Sequence, residues 1–149
     1  MCVCTHNTVS MASERLLFCN CFASRKAARL ITKLYEDHLA TVNLTSTQIS
    51  ILVYVDEVGM ASMKDLVETL VMERTSVVRA LQPLERDGFL VIGPDETDAR
   101  RNVVRLTDAG RAKLAEAMPV WQAAQDEFER RFGSELAGQL RQSAHTLEP

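Results

Sequence analysis

Two groups of side chains in this sequence could do chemistry. The first is a set of four cysteines near the start, Cys2, Cys4, Cys19 and Cys21. The second is a set of arginines and hydroxyl residues between positions 74 and 101, which can hydrogen-bond to anionic or polar partners. A secreted disulfide framework would distribute its cysteines over the fold, so the four cysteines are expected to be thiols in a reducing compartment.

Three roles are open to Cys19 and Cys21. Either can be a small hydrophobic residue packed in a core. Either can be a redox centre, because Arg15, Arg25 and Lys26 are nearby cations that favour the thiolate form. A metal role is the weakest, since the Cys-x-Cys spacing departs from the two-to-four-residue spacing of zinc knuckles. We therefore predict no metal site.

Composition excludes several classes of function. The chain has 149 residues, is 46% hydrophobic and carries a net charge of −3, so one folded domain with a substantial core is expected. It contains no Ser-His-Asp grouping, phosphate loop or His-Glu-x-x-His sequence, so we predict neither an enzyme nor a cofactor. No apolar run reaches the roughly 18 residues of a membrane span and no secretory signal is recognisable, so a cytoplasmic protein is expected. The acidic balance still permits nucleic-acid binding, which requires only one basic face.

The elements that position these residues follow from hydrophobic spacing. Residues 1–13 have no periodicity and predict a flexible tail, with Met11 as an alternative translation start. From Glu14 to residue 42, apolar residues recur every three or four positions, which predicts one long amphipathic helix. That helix is longer than a small domain requires, so part of it should pack against a partner.

Capping residues locate the next three helices. Thr45 with a Gln three residues later predicts a helix start, and Gly59 predicts its end. Ser62 with Asp65 begins a short third helix, and a fourth runs from Arg74 to about residue 88. Two short helices joined by a tight turn form a helix-turn-helix unit.

A hairpin and two further helices complete the chain. The β-prone runs 89–92 and 102–106 flank the polar, turn-rich stretch 93–98, and this pattern predicts a β-hairpin. Thr107 suits the N-cap of a fifth helix, and a sixth runs from Ser134 to about residue 146. The predicted fold is mainly α with a small β-hairpin wing.

Two prolines fall inside these predicted helices. Pro83 lies in the fourth helix and Pro119 in the fifth. Each removes a backbone donor and crowds the preceding turn, at a cost of about 3 kcal/mol or more. We predict kinks at both places, with the helices continuing beyond them.

Apolar stripes on the end helices predict a homodimer. The central module, 43–106, is too small to cover the stripes of the first, fifth and sixth helices. An interlocked dimer would bury them against their symmetry mates. We therefore predict a winged helix-turn-helix DNA-binding region over 43–106, flanked by dimerisation helices over 14–42 and 107–149.

Two strings in this region resemble those of the MarR family of bacterial transcriptional regulators. Residues 98–110, Asp-Ala-Arg-Arg-Asn-Val-Val-Arg-Leu-Thr-Asp-Ala-Gly, are similar to the family's wing signature. Residues 84–90, Leu-Glu-Arg-Asp-Gly-Phe-Leu, are similar to the junction between its recognition helix and wing. The resemblance extends over nearly all of the chain from residue 14 onward. It implies a dimeric regulator whose partner is a double-stranded, palindromic DNA operator.

The resemblance assigns DNA contacts to the fourth helix and to the wing. The residues concerned are Arg74, Thr75, Ser76, Arg79, Arg100 and Arg101. The helix residues would reach base edges or phosphates in the major groove. One wing arginine would enter the adjacent minor groove, and Asp98 would brace an arginine beside it.

Two mechanisms of release from DNA stay open. MarR-type proteins commonly respond to small aromatic acids and similar ligands in a cavity between the dimer helices and the DNA-binding lobe, and one branch senses peroxides through a cysteine on the first helix. The residues predicted to line such a cavity, for a small aromatic or phenolic ligand, are Phe22, Arg25, Arg29, Tyr35, His38 and Tyr54. Cys19 and Cys21 are placed for the second mechanism.

Two other classes of function fit parts of the sequence. The cysteines alone would suit a thiol-redox or metal-handling protein. A winged-helix module that binds protein instead of DNA would agree with the acidic pI of 5.6. Sequence-specific DNA binding is the property that separates the regulator from both.

Overall fold

The computed structural model describes Leu16 and residues 18–147. In chain order the elements are α1 (Asn20–Leu39), α2 (Ser46–Val58), β1 (Ala61–Ser62), α3 (Met63–Leu70), α4 (Arg74–Arg86), β2 (Leu90–Pro94), β3 (Asn102–Leu106), α5 (Asp108–Phe132) and α6 (Ser134–Thr146). The predicted fold class, mainly helical with a β wing, is confirmed. The tail predicted for residues 1–13 lies outside the described residues, as do Cys2, Cys4 and Arg15.

Reciprocal caps begin α2 and α3 where the sequence predicted them. The Thr45 hydroxyl accepts a hydrogen bond from the Gln48 backbone N–H at 3.2 Å, and the Gln48 side chain accepts one from the Thr45 N–H at 2.9 Å. Ser62 and Asp65 form the same pair of bonds at 3.2 and 2.8 Å. These bonds satisfy backbone donors that the first helical turn leaves unpaired.

The predicted long first helix is interrupted at Phe18 and Cys19, although Leu16 before them is helical. Glu14, the expected start, lies outside the described residues, and the continuous helix starts at Asn20. Cys19 has an extended backbone, with φ −85° and ψ 110°, and its sulfur accepts a bond from the Phe22 N–H at 3.5 Å. Because the apolar spacing continues through this cap, periodicity alone does not reveal the interruption.

A three-stranded antiparallel sheet forms the wing, with strand order β1-β3-β2. Leu90 pairs with Leu106, and Pro94 pairs with Asn102. The third strand, β1, pairs Ala61 with Val104 and was not predicted, because two residues are too few to show a period. It anchors the hairpin to the start of α3.

The main core joins the helix-turn-helix to the sheet and to the first half of α5. Its fully buried members come from α1 to α5 and the strands, and they include Leu52, Leu66, Val77, Leu81, Leu84, Leu90 and Val104. Both α4 and α5 continue past their prolines, Pro83 and Pro119, as predicted. The helix-turn-helix and the wing are therefore packed on one shared core.

A smaller cluster joins the end helices. Leu34 of α1 packs with Ala124 and Phe128 of α5 and with Ala137 of α6. Polar contacts reinforce the seam between α1 and α5: the Tyr35 hydroxyl donates to the Gln125 side chain, and His38 Nε2 lies 3.1 Å from a Glu127 carboxylate oxygen. Burial raises the pKa of Tyr35.

The turn between α3 and α4 holds a strained residue. Val71 has φ 49° and ψ 49°, the left-handed conformation that β-branched side chains avoid, and it is 76% exposed. Replacing Val71 with glycine should remove strain of about 1–2 kcal/mol, partly offset by the greater freedom of glycine in the unfolded chain. We expect a net gain of about 0.5–1 kcal/mol in the free energy of unfolding, measured in urea. Val67→Gly, in the body of α3, should instead destabilise.

Candidate nucleic-acid interface

Helix α4 has one face fixed by the core and one left to solvent. Val77, Leu81 and Leu84 are buried. At about 100° per residue, the opposite side carries Thr75 and Arg79, and both are exposed. Among the described residues neither side chain forms an ion pair or hydrogen bond. The structure therefore presents a free hydroxyl and a free guanidinium side by side on the outer face of the second helix.

The first turn of α4 is suited to an anion. Its N-cap, Glu73, makes no side-chain capping bond, although its carbonyl accepts from the Ser76 and Val77 N–H groups at 2.9 and 3.1 Å. Helix N-termini carry partial positive charge and attract phosphates. Arg74 is exposed at this turn, and Ser76 is half-buried on its flank. Arg74 and Ser76 thus lie to the sides of the outer face that carries Thr75 and Arg79.

Two further residues on the outer face of α4 were not predicted from the sequence. Gln82 and Arg86 are exposed and lie on the same side as Thr75 and Arg79. Arg86 binds the neighbouring Asp87 through bonds of 2.8 and 3.3 Å, and this contact holds the pKa of Asp87 below its usual range. Helical spacing could have identified both. Gln82 follows Arg79 by three residues and Arg86 follows it by seven, and these spacings place side chains on the same side of a helix.

The wing tip is organised by a buried aspartate. Asp95 is only 7% exposed. Its Oδ1 accepts bonds from the backbone N–H and the hydroxyl of Thr97, both at 2.9 Å, while its own N–H donates to the Arg101 carbonyl at 2.7 Å. The backbone bond, then the hydroxyl bond, hold the pKa of Asp95 below its usual range. This acidic residue is thus a structural part of the loop that presents the arginines.

Asp98 braces the backbone of the wing arginines. Its Oδ1 accepts from the Arg100 N–H at 3.1 Å, and its carbonyl accepts from the Arg101 N–H at 2.9 Å. The resemblance implied that Asp98 braces an arginine, and the contact seen is with the main chain instead of a guanidinium. Arg100 and Arg101 are exposed and form no ion pairs within the described part of the chain. Both remain available to phosphates.

Replacing Asp95 tests this account of the wing. Asp95→Ala should loosen the tip and speed amide hydrogen exchange at Thr97, whereas Glu96→Ala, at an exposed neighbour, should leave it unchanged. Because the folded pKa is lowered, the stabilisation is present above the unfolded value near 4 and is lost as the pH falls through the folded value. Faster exchange in neither variant, or in both equally, would contradict the proposed role.

The junction between wing and α5 is a dense backbone contact. The Thr107 hydroxyl donates to the Gly88 carbonyl at 2.6 Å and accepts from the Gly110 N–H at 3.0 Å. The Thr107 N–H donates to the Phe89 carbonyl at 3.1 Å. This single threonine caps α5 and ties it to the end of α4, which explains the physical use of the Leu-Thr-x-x-Gly string.

The residues proposed for sensing are spread over the surface. Cys19 and Cys21 are both exposed in the single chain, so packing in its core is not their role; they lie where α1 begins, beyond the buried clusters. Of the predicted ligand-cavity residues, Arg25 and Arg29 are exposed, while Phe22, Tyr35, His38 and Tyr54 are partly buried. Arg29 and His38 line two separate shallow grooves. None of four grooves in the described chain brings two of these six residues together.

The described residues contain neither a metal-ligand cluster nor a membrane-spanning helix. Within Leu16 and residues 18–147, no three His, Cys, Asp or Glu side chains are grouped as a metal site would require. Over the same residues, none of the helices combines the length and apolar character needed to cross a bilayer.

A two-helix unit with an exposed second helix, flanked by a β wing that carries free arginines, defines a winged helix-turn-helix DNA-binding protein. Residues 42–101 match the sequence model of the MarR family. This match spans the helix-turn-helix and most of the wing, and the chain is similar to DNA-binding transcriptional regulators of the MarR type.

Individual proteins agree with this assignment. The chain is 26% identical over 115 residues to the HTH-type transcriptional repressor NicR of Pseudomonas putida, a match covering 77% of this chain and 71% of NicR. Among solved structures it is similar to the transcriptional repressor CouR bound to a 23-mer DNA duplex, with a TM-score of 0.82, 25% identity, and coverage of 94% of this chain and 99% of CouR. A probable transcriptional regulator from Pseudomonas aeruginosa gives a TM-score of 0.77 at 25% identity, covering 89% and 99% of the two chains.

Proposed function

We propose that this protein is a homodimeric repressor that binds a palindromic operator through α4 and the wing of each subunit. The observation that carries the proposal is the outer face of α4, where Thr75 and Arg79 are exposed and unpaired among the described residues. Likeness to a named repressor and to a DNA-bound repressor supports it. In a dimer with twofold symmetry the two copies of α4 would sit about 34 Å apart, one turn of DNA.

Apolar side chains on the end helices support the dimer. Phe132, Leu136 and Leu140 are 47%, 49% and 42% exposed, and Ala137 is the buried residue of α6. A helix with so little burial in its own subunit is poorly stabilised unless a partner covers it. A second copy of the chain supplies the same apolar face and closes the assembly by symmetry.

A charged substitution on the apolar face of α6 tests the proposed dimer. Leu136→Glu should convert the dimer to a monomer in analytical ultracentrifugation and lower operator affinity, because two α4 helices then no longer bind together. Gln142→Glu adds the same charge on a different side of α6, about 120° around the helix from Leu136, and should leave the dimer intact. A wild-type monomer, or a dimer unaffected by Leu136→Glu, would exclude this interface.

For release from DNA, we propose a small aromatic or phenolic acid as effector. The supporting feature is a groove of about 380 Å³ between α2 and α5, within the size range of small-molecule sites. Val53, Leu114 and Met118 form an apolar bed. Asp56 and Glu57 also line the groove, and Arg111 contributes a guanidinium that lies 3.5 Å from Asp108. Because α2 belongs to the DNA-binding lobe and α5 continues to the end helices, a molecule seated here would shift the lobe relative to the dimer axis.

Oxidation of Cys19 and Cys21 is the other route to release, supported by their exposure at the start of α1. Gel shifts with 4-hydroxybenzoate and with peroxide separate the two routes. If the effector route operates, 4-hydroxybenzoate should abolish the shifted band for the wild-type protein and for Arg130→Ala. The band should persist for Arg111→Ala. If the redox route operates, peroxide should abolish the shifted band of the wild-type protein. The double variant Cys19→Ser, Cys21→Ser should stay bound to DNA in peroxide.

A further inference from the structure

The outer row of α4 contains one side chain with base-reading chemistry that the family motifs do not include. Gln82 is exposed and follows Arg79 by three residues, so the two side chains are neighbours on the helix surface. Among the described residues the Gln82 amide forms no hydrogen bond. Its donor and its acceptor are both free to meet a partner.

The other residues on the outer face of α4 differ from Gln82 in what their side chains can bind. Arg86, the next outward residue, has its charge engaged by Asp87 at 2.8 Å. Thr75, at the start of the row, offers only a short hydroxyl. Arg79 and Gln82 are therefore the two long outward side chains of α4 that remain unengaged, and each carries two hydrogen-bonding atoms in one plane.

We propose that Gln82 is a specificity-determining residue that reads an adenine in each half-site, next to a guanine read by Arg79. Arginine binds guanine O6 and N7 through two bonds, and glutamine binds adenine N6 and N7 in the same manner. Three helical residues advance about 4.5 Å, compared with about 3.4 Å per base-pair step. The two bases are then one or two base pairs apart. This assignment rests on the proposed function, since it requires α4 to lie in the major groove.

Selection from random-sequence duplex DNA tests the assignment. Wild-type protein should enrich a palindrome whose half-site contains the guanine and the adenine at this spacing. Gln82→Ala should keep the guanine, lose the preference for adenine, and bind the wild-type site about 10-fold more weakly. Gln122→Ala, an exposed glutamine of α5, should select the wild-type sequence unchanged.

A second variant distinguishes a loss of base recognition from a loss of folding. Gln82→Glu should replace the adenine preference with cytosine, because a carboxylate accepts from cytosine N4. That gain of a new preference requires a folded, bound protein. If wild-type protein enriches no sequence, the proposed function fails. If wild type enriches a palindrome and both Gln82 variants enrich the same one, DNA binding stands and the role of Gln82 is overturned.

Discussion

Arg79→Ala is expected to lower affinity for operator DNA by about 10- to 100-fold while leaving the fold intact. Arg79 is exposed on the outer face of α4, opposite the buried Val77 and Leu81, and forms no ion pair among the described residues. Its removal therefore takes nothing from the core. A two-bond contact with a guanine contributes about 1–3 kcal/mol of discrimination, which corresponds to this loss. Fluorescence anisotropy with a labelled operator duplex measures it.

The matched control is Arg130→Ala on α5. Arg130 is also exposed, but it lies near a Glu127 carboxylate at 3.8 Å, on the helix that continues away from the wing. Both variants remove one positive charge, so a nonspecific effect of net charge would weaken binding equally. Equal losses would show that Arg79 acts only through general electrostatics and would contradict its role in base contact.

Gly110→Ala is the second substitution for which we expect a large effect, this time on stability. A Cβ at Gly110 would lie 1.8 Å from the Phe89 carbonyl oxygen and 2.9 Å from a Leu106 methyl group. The first of these neighbours is backbone, held in place by its bond from the Thr107 N–H. Overpacking costs typically 1–3 kcal/mol, and a clash with backbone places this case at about 3 kcal/mol or more. For a chain of this size the melting temperature should fall by roughly 6–12 °C.

Gly138→Ala is the corresponding control. Gly138 lies inside α6, and a Cβ there meets nothing within 4 Å. Alanine should therefore stabilise the helix by up to about 1 kcal/mol and raise the melting temperature. Thermal unfolding followed by circular dichroism compares the two variants. An unchanged melting temperature for Gly110→Ala would mean that the wing and α5 are not locked together at Phe89.

Short sequence patterns were enough to predict the helix caps and the β-hairpin. The caps at Thr45, Ser62 and Thr107 are set by side chains reaching backbone groups within three residues. The hairpin follows from two β-prone runs and a polar turn. For these elements a short window of sequence contains the groups that determine the structure.

Contacts between distant segments were not predictable in the same way. β1 exists only because it pairs with β3, some forty residues later, and no period reveals it. Asp95 belongs to the polar stretch from which the turn was predicted, but only its burial and its bonds with Thr97 show that it is part of the loop framework. The ligand cavity assigned to the first helix depended on packing against α5, which sequence spacing does not fix.

The acidic composition is compatible with DNA binding because several carboxylates near the interface are engaged within the protein. The carboxylates of Asp65, Asp95 and Asp98 accept hydrogen bonds from nearby backbone groups and so stabilise turns and caps. The guanidinium groups of Arg79, Arg100 and Arg101 extend into solvent from α4 and the wing. A net charge of −3 therefore leaves exposed arginines on α4 and the wing that can meet phosphates.

Salt-dependent binding to a selected duplex is the most direct test that this protein is a sequence-specific DNA-binding dimer. We expect affinity for the selected palindrome to exceed that for a scrambled duplex by about 10³-fold or more. Affinity should fall by about 10³-fold or more between 50 and 200 mM salt, as six or more phosphate contacts require. Equal affinity for the two duplexes, or binding that does not change with salt, would contradict the account.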